Sequence, residues 1–105
     1  MPPVEVCNVD AIDEEDVRRF DHGDRTFAIY RSGGGFFATD GLCTHERVHL
    51  ADGLVLGFLI ECPKHNGRFD IRSGKARKAP VCVDLRTYPV SVADGKVFLH
   101  IDETE

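Results

Sequence analysis

Apolar positions in this chain fall in short runs separated by turn residues, a pattern that predicts an all-β protein. Val4 to Cys7 reads as a first strand. Asp10 to Asp16 is acidic and reads as a solvated loop or a single helical turn. Val17 to Phe20 alternates apolar and basic residues. Asp21-His22-Gly23-Asp24 is a turn, and Arg25 to Arg31 returns through Thr-Phe-Ala-Ile-Tyr, rich in strand formers. The two runs predict a hairpin. Ser32-Gly33-Gly34-Gly35 is the next turn, with Phe36 to Thr39 the strand after it. The glycine run has no helix behind it, so it is not a phosphate loop.

The texture changes between Leu42 and Pro80. Phe58-Leu59-Ile60-Glu61 reads as a strand entering this region's second loop, and Arg68-Phe69-Asp70-Ile71 as a strand leaving it. That strand turns at Arg72-Ser73-Gly74-Lys75. Beyond Pro80 the first pattern resumes. Leu85 to Val92 is strand-like with a break near Pro89. Ala93-Asp94-Gly95-Lys96 carries the Asp-Gly of a hairpin turn, Val97 to Ile101 is the last strand, and Asp102 to Glu105 is a charged tail. The expectation is one domain spanning 1–105. Its antiparallel scaffold comes from both ends of the chain, and a loop-rich segment, about 42–80, is inserted between them.

Size and composition agree with this. At 105 residues the chain has the length of one domain with a modest core. Its 42% hydrophobic and 30% charged content is that of a folded globular protein. A net charge of −5 argues against nucleic acid, which is bound through clustered Lys and Arg, and permits steering toward a basic patch on a partner. The N-terminus lacks the basic run and apolar stretch of a signal peptide. No window approaches the roughly 20 apolar residues of a membrane span. These features predict a cytoplasmic protein. Four cysteines are present, Cys7, Cys43, Cys62 and Cys82; in a reducing setting a Cys/His cluster points to metal binding more than to disulfides.

The chemistry concentrates in Cys43-Thr44-His45 and Cys62-Pro63-Lys64-His65, with residues 46–61 between them. Each loop offers one thiolate and one imidazole. A tetrahedral zinc ion fits such a set. So does a [2Fe–2S] cluster with cysteines on one iron and histidines on the other. Zinc knuckles usually pair two cysteines in one loop and two histidines in another, whereas here each loop supplies one of each, which lets both loops span a two-iron unit. Gly41, Gly53, Gly57, Gly67 and Gly74 are expected to bring backbone close to such a site.

Cys43-Thr44-His45, Leu50-x-x-Gly53, Cys62-Pro63-x-His65, Phe69-Asp70, Gly74 and Pro80 together resemble the Rieske [2Fe–2S] ferredoxins. These are electron carriers of bacterial multicomponent aromatic-ring and related oxygenases. The resemblance extends from the hairpin before the site to the Tyr-Pro-Val-x-Val-x-x-Gly-Lys-Val ending. Glu46-Arg47-Val48-His49-Leu50 and the Pro63 to Asp70 stretch are most similar to ferredoxins of the rhizopine-catabolism type. The resemblance implies a Rieske fold, a barrel-like β-sandwich base carrying a cluster-binding insertion. It implies one [2Fe–2S] cluster, with Cys43 and Cys62 on the inner iron and His45 and His65 on the outer one. It also implies transient partners, a flavin-dependent reductase and a terminal oxygenase, around a monomeric carrier with no catalysis of its own. Two alternatives stand beside it: a small Rieske-like subunit of another oxidoreductase, such as a nitrite-reductase-type accessory chain, and a zinc-stapled structural domain.

Exchanging two thiolates for neutral imidazoles raises a cluster's potential, to about −150 to +300 mV across Rieske centres. Respiratory members of the family add a cysteine to each loop, paired as a disulfide; Val48 and Lys64 stand at those positions here. Asn66-Gly67 replaces Gly-Ser, which removes a hydroxyl donor. Both differences predict a potential near the bottom of that range, roughly −150 mV.

The other residues have simpler expectations. Cys7 and Cys82 are expected as free thiols, His49 as a surface residue, and His22 and His100 as structural or solvated. The acidic residues 13–16 are expected to solubilise, and Phe36, Phe37, Phe58 and Phe69 to fill the core or shield the cluster. Glu46, Arg47, Lys64 and Arg68 are divided between docking a partner and lining a solvated face.

Overall fold

A computed structural model describes residues 2–64, 66–79 and 83–101. Expectations for His65, Pro80, Cys82 and the tail 102–105 lie outside the described residues. Within them, eleven strands occur: β1 (Val4–Asn8), β2 (Asp16–His22), β3 (Arg25–Ser32), β4 (Gly35–Asp40), β5 (Leu54–Leu56), β6 (Leu59–Glu61), β7 (Arg68–Asp70), β8 (Ala76–Lys78), β9 (Thr87–Tyr88), β10 (Val90–Ala93) and β11 (Lys96–Leu99). They form three antiparallel sheets, ordered β1-β11-β10, β2-β3-β4-β9 and β5-β6-β7-β8. The expected all-β antiparallel fold is therefore the one observed. Single 3-10 turns occupy Val9–Ala11 and Leu50–Asp52.

Local signals close the hairpins. β2 and β3 end on the pair His22↔Arg25 around Gly23-Asp24. β10 and β11 end on Ala93↔Lys96, with Asp94 and Gly95 at φ 54° and 74°. Two successive positive φ values make the turn whose twist matches the strands it joins. The break near Pro89 is a change of sheet. Thr87 and Tyr88 pair with β4, whereas Val90 pairs with Leu99 of β11. Pro89 has no N–H for a central ladder, and its carbonyl accepts from His100 N at 3.0 Å. Both sheets of the base thus use N- and C-terminal strands.

The third sheet is local, drawn wholly from residues 54–78. Its inner row is Val55, Ile60, Phe69 and Ala76 in register across four strands. That row joins Ala28, Tyr30, Cys43, Leu50, Cys62, Ile71 and Leu85 in one hydrophobic cluster. A second cluster holds Ile12, Phe27, Ile29, Ala38, Tyr88, Val97, Leu99 and Ile101.

The acidic stretch is tied to the rest of the chain more tightly than a solvated loop would be. Ile12 within it is buried. The Glu14 carboxylate accepts from Gly33 N at 2.6 Å and Gly34 N at 3.1 Å, and Glu15 accepts from Gly57 N at 2.8 Å. These carboxylates cap the unpaired amides of two hairpin turns, which ties the N-terminal loop to both.

Candidate metal centre

The first cysteine–histidine loop is a small pin closed by backbone bonds. Gly41 N donates to Thr26 O at 2.9 Å, Leu50 N to Gly41 O at 2.8 Å, and Cys43 N to Val48 O at 2.9 Å. Leu42 and His49 form an isolated bridge across it. The pin lies so close to β3 that a Cβ on Gly41 would come within 2.9 Å of Phe27 N. Cys43-Thr44-His45 sits at its tip. The Thr44 hydroxyl donates to the Val83 carbonyl at 2.6 Å, which fastens the tip to a segment far along the chain.

The second loop is shaped by the β6–β7 hairpin. Cys62 N donates to Gly67 O at 2.7 Å, and Asn66 adopts φ 58° within the turn. Below it, Glu61 pairs with Arg68 in register. The Arg68 Nε and a terminal guanidinium nitrogen reach the same Glu61 oxygen at 2.9 and 2.8 Å. Arg68 is thus committed to a cross-strand ion pair, and Lys64 is exposed.

The structure brings Cys43 and Cys62 together. Both are buried, at 2% and 1% exposure, beside Leu50, Ile60 and Phe69. Their thiols lie within hydrogen-bond reach of each other. Burial pushes the Cys62 thiol up to about 11, the Lys64 N–H directed at its sulfur opposes this, and the Cys43 thiol raises it further. His45 is exposed two residues on from Cys43, and His65 lies outside the described residues. Among the described residues no set of three or more His, Cys, Asp or Glu side chains gathers as for a metal ion.

The residues present fit the cluster that the motif implies. Two soft sulfur donors sit side by side in an apolar pocket, one with a backbone N–H aimed at it. A thiophilic metal would hold both as thiolates and remove the cost of burying them. Val48 packs on the cysteine-side hydrophobic cluster.

Several neighbours differ from expectation. His49 is half-buried instead of fully exposed, and among the described residues its buried Nδ1 has no hydrogen-bond partner. Gly57 lies at a hairpin turn with open space around it, so it does not crowd the site. Gly53 and Gly74 instead admit backbone: a Cβ would meet Glu61 O at 2.1 Å and Leu85 O at 2.2 Å, respectively. Phe69 is buried beside the thiols, and Phe37 and Phe58 pack edge-to-face at 6.0 Å against the same cluster. Phe36 belongs to the other cluster, under Arg31. Cys7 is a half-buried free thiol in β1. His22 stacks on Phe20, and His100 Nε2 shares a hydrogen bond with Ser91 Oγ at 2.8 Å.

Sequence reasoning missed a polar cluster beside the first loop. Arg25 lies over Phe27 and Tyr88, at 4.9 and 5.5 Å, and donates to Tyr88 Oη at 2.7 Å. Tyr88 Oη in turn donates to Asp40. Together with Thr44 and Arg47, Arg25 and Asp40 line an open cleft of about 330 Å³. Nothing in the local pattern of Arg25 or Tyr88 signals this meeting of β3 and β9.

Comparison with known proteins places this geometry. The chain is 38% identical over 99 residues to the ferredoxin component of the naphthalene 1,2-dioxygenase/salicylate 5-hydroxylase systems of a Ralstonia species, covering 94% of this chain and 95% of that protein. Its structure is similar to the ferredoxin of Sphingomonas yanoikuyae B1, with a TM-score of 0.89 and 35% identity over 93% of this chain and 97% of that one. It is equally similar, at TM-score 0.89 and 34% identity over 92% and 91% of the two chains, to a chain in a complex of reduced oxygenase and oxidised ferredoxin from carbazole 1,9a-dioxygenase. The model of the Rieske [2Fe-2S] domain matches residues 2–89, a span holding both loops and the strands that pin them. The paired buried thiols thus have their explanation in descent as well as in chemistry, and the chain belongs to the Rieske [2Fe-2S] domain family.

Proposed function

We propose that this protein is the ferredoxin component of a multicomponent Rieske oxygenase system, a one-electron carrier between a flavin-dependent reductase and a terminal oxygenase. The observation that carries this is the pair of adjacent buried thiols, Cys43 and Cys62, delivered by two pinned loops in a chain similar to dioxygenase ferredoxins. Cys43 and Cys62 hold one iron of the cluster, and His45 and His65 hold the other. When bound, a [2Fe–2S] cluster supplies a single one-electron couple. The chain supplies the rest. It buries the sulfur side among Leu50, Ile60 and Phe69, directs the Lys64 amide at a sulfur, and leaves His45 exposed. The carrier is one unit, 1–105, whose segment of about 42–80 builds the cluster site. It works as a monomer in the cytoplasm and meets its partners transiently.

The test is anaerobic purification followed by iron and acid-labile sulfide assays and reduced-state EPR. Two irons, two sulfides and an average g below the free-electron value are expected, and Cys43→Ser or Cys62→Ser should lose all three. A colourless wild-type protein holding one zinc refutes the reading. With Val48 and Asn66 at their positions, the midpoint is expected near −150 mV, roughly the low end for this cluster type. A midpoint above zero in voltammetry contradicts that figure.

A further inference from the structure

Two opposite charges are fixed at the foot of the first cysteine–histidine loop. Arg25 begins β3, and Asp40 ends β4 just ahead of the loop that carries Cys43. The Arg25 guanidinium stands 4.0 Å from the Asp40 carboxylate, and the Tyr88 hydroxyl bridges them. That hydroxyl accepts from Arg25 Nη2 at 2.7 Å and donates to Asp40. The rings of Phe27 and Tyr88 meet edge to face at 5.2 Å and hold the guanidinium at 4.9 and 5.5 Å from their centres. The backbone repeats the tie: Asp40 N donates to Arg86 O at 3.0 Å, and Gly41 N to Thr26 O at 2.9 Å. Both side chains are partly exposed, at 42% and 38%, yet each is held in place.

These charges share a cleft with a buried thiol. Arg25, Asp40, Cys43 and Thr44 all line the open space of about 330 Å³ beside the loop. Asp24 and Arg47 also border it, but both are exposed and of opposite sign, so their charges offset. An electron added to a cluster bound through Cys43 is a new negative charge. A fixed cation nearby lowers the cost of that charge and raises the potential, and a fixed anion does the reverse. The protein around Cys43 screens such charges less than water does, whereas the open side of the cleft screens them more. Each charge is therefore expected to change the reduction equilibrium by roughly twofold. Twofold is about 18 mV, at 59 mV per tenfold for one electron.

We propose that Arg25 and Asp40, bridged by the Tyr88 hydroxyl, are a charge pair that sets the cluster's potential from its cysteine side. The proposal rests on the electron-carrier reading. None of the three residues binds the cluster, and all act through the field at Cys43. Their contributions have opposite sign, so the wild-type potential reflects the difference, and removing either charge uncovers the other.

The test is voltammetry of the holoprotein at low ionic strength, where screening is weakest. Wild type is compared with Arg25→Gln, Arg25→Lys, Asp40→Asn and Tyr88→Phe, after iron and sulfide assays on each. Arg25→Gln should lower the midpoint by the roughly twofold step in the reduction equilibrium, and Asp40→Asn should raise it by a similar step. Arg25→Lys keeps the charge and should restore most of the loss. Tyr88→Phe keeps both charges and the ring, so it should move the midpoint less than either charge variant. Shifts of the same sign in Arg25→Gln and Asp40→Asn overturn the proposal, because a loop loosened by mutation does not register the sign of the charge removed. An unmoved midpoint in both overturns it too, as does Arg25→Lys displaced as far as Arg25→Gln. If Asp40→Asn fails to hold a cluster, the Arg25→Gln and Arg25→Lys pair decides alone, since that side chain is half exposed and outside the ligand loop. Failure of the carrier reading is a separate result, because it would appear as missing iron and sulfide in wild type before any voltammogram was taken.

Discussion

Gly74 shows how closely the chain is folded back beneath the site, and its replacement by alanine should be severe. It sits at φ 78°, a conformation that costs an L-residue about 1–2 kcal/mol. A Cβ there would lie 2.2 Å from the carbonyl oxygen of Leu85 and 3.0 Å from Thr87 Cγ2. To reach ordinary contact the Leu85 carbonyl must retreat about 1 Å. It is poorly placed to do so, because Leu85 N donates to Gly74 O at 2.7 Å and the Leu85 side chain is buried with Cys43 and Cys62. Forcing the contact costs a further ~1–3 kcal/mol, as overpacking does. Gly95→Ala is the control. Its φ is 74° but nothing lies within 4 Å of the added carbon, so only the conformational cost applies, offset in part by reduced freedom of the unfolded chain. The assay is anaerobic urea unfolding of the holoprotein, followed by far-UV circular dichroism and the visible band. With a slope of about 1–2 kcal/mol per molar urea for a chain this size, Gly74→Ala should fall below Gly95→Ala by roughly 1–2 M in apparent midpoint. It should also lose visible colour at lower urea. Equal midpoints for the two variants would refute the steric argument, since both share the backbone cost.

Two further predictions follow from side chains away from the thiols. Tyr88 is raised to about 12, first by burial and then by the Asp40 carboxylate that accepts its proton, and burial raises Tyr30 as well. A raised folded value means the native state holds the proton more tightly. This contribution is complete below pH 10 and lost as pH climbs from 10 through 12; reversible tyrosinate absorbance reaching half its full value by pH 10, with circular dichroism intact, would contradict it. Glu14→Gln and Glu15→Gln weaken carboxylate caps on turn amides, so Gly33, Gly34 and Gly57 should exchange amide hydrogen roughly fivefold faster in the respective variants, and unchanged exchange would show that the caps contribute nothing.

What was legible in the sequence was local. Asp94-Gly95 specified its turn through two residues that tolerate positive φ, and Pro89 marked the change of sheet because it has no N–H to donate. The strands on either side of Cys62 were readable because β-branched and aromatic residues flank it. Two strands were missed for physical reasons. Ala76-Arg77-Lys78 has little strand preference of its own and is held in β8 by the open edge of β7 and by Ala76 packing opposite Phe69. Leu54–Leu56 is too short to show alternation. Long-range polar ties left no pattern at all: Glu15 meets Gly57, and Thr44 meets Val83. Each partner looks like a solvated loop residue until the fold joins them. At the candidate metal centre the motif singled out the cysteines, but their burial side by side needed three dimensions. Net charge concealed the segregation of lysines around the second loop, since a sum over the chain carries no position.

The run Phe27-Ala28-Ile29-Tyr30 shows how scaffold and site depend on each other. Four consecutive buried residues do not alternate, so β3 has no solvent face there. Phe27 and Ile29 enter the cluster with Tyr88, Val97 and Leu99, while Ala28 and Tyr30 enter the cluster with Cys43 and Cys62. β3 is therefore the wall between two cores, and its own backbone, at Thr26, accepts the Gly41 amide that anchors the first loop. Tyr30 fixes its phenol on Thr39 of the neighbouring strand at 2.8 Å, so the side chain cannot swing out of the core without breaking a buried hydrogen bond. An electron carrier gains from this arrangement because the faster exchange is the one that asks the protein to rearrange least. Loops free to respond to charge would have to reorganise with every electron; loops fastened by backbone bonds to a wall packed on both sides have nowhere to go.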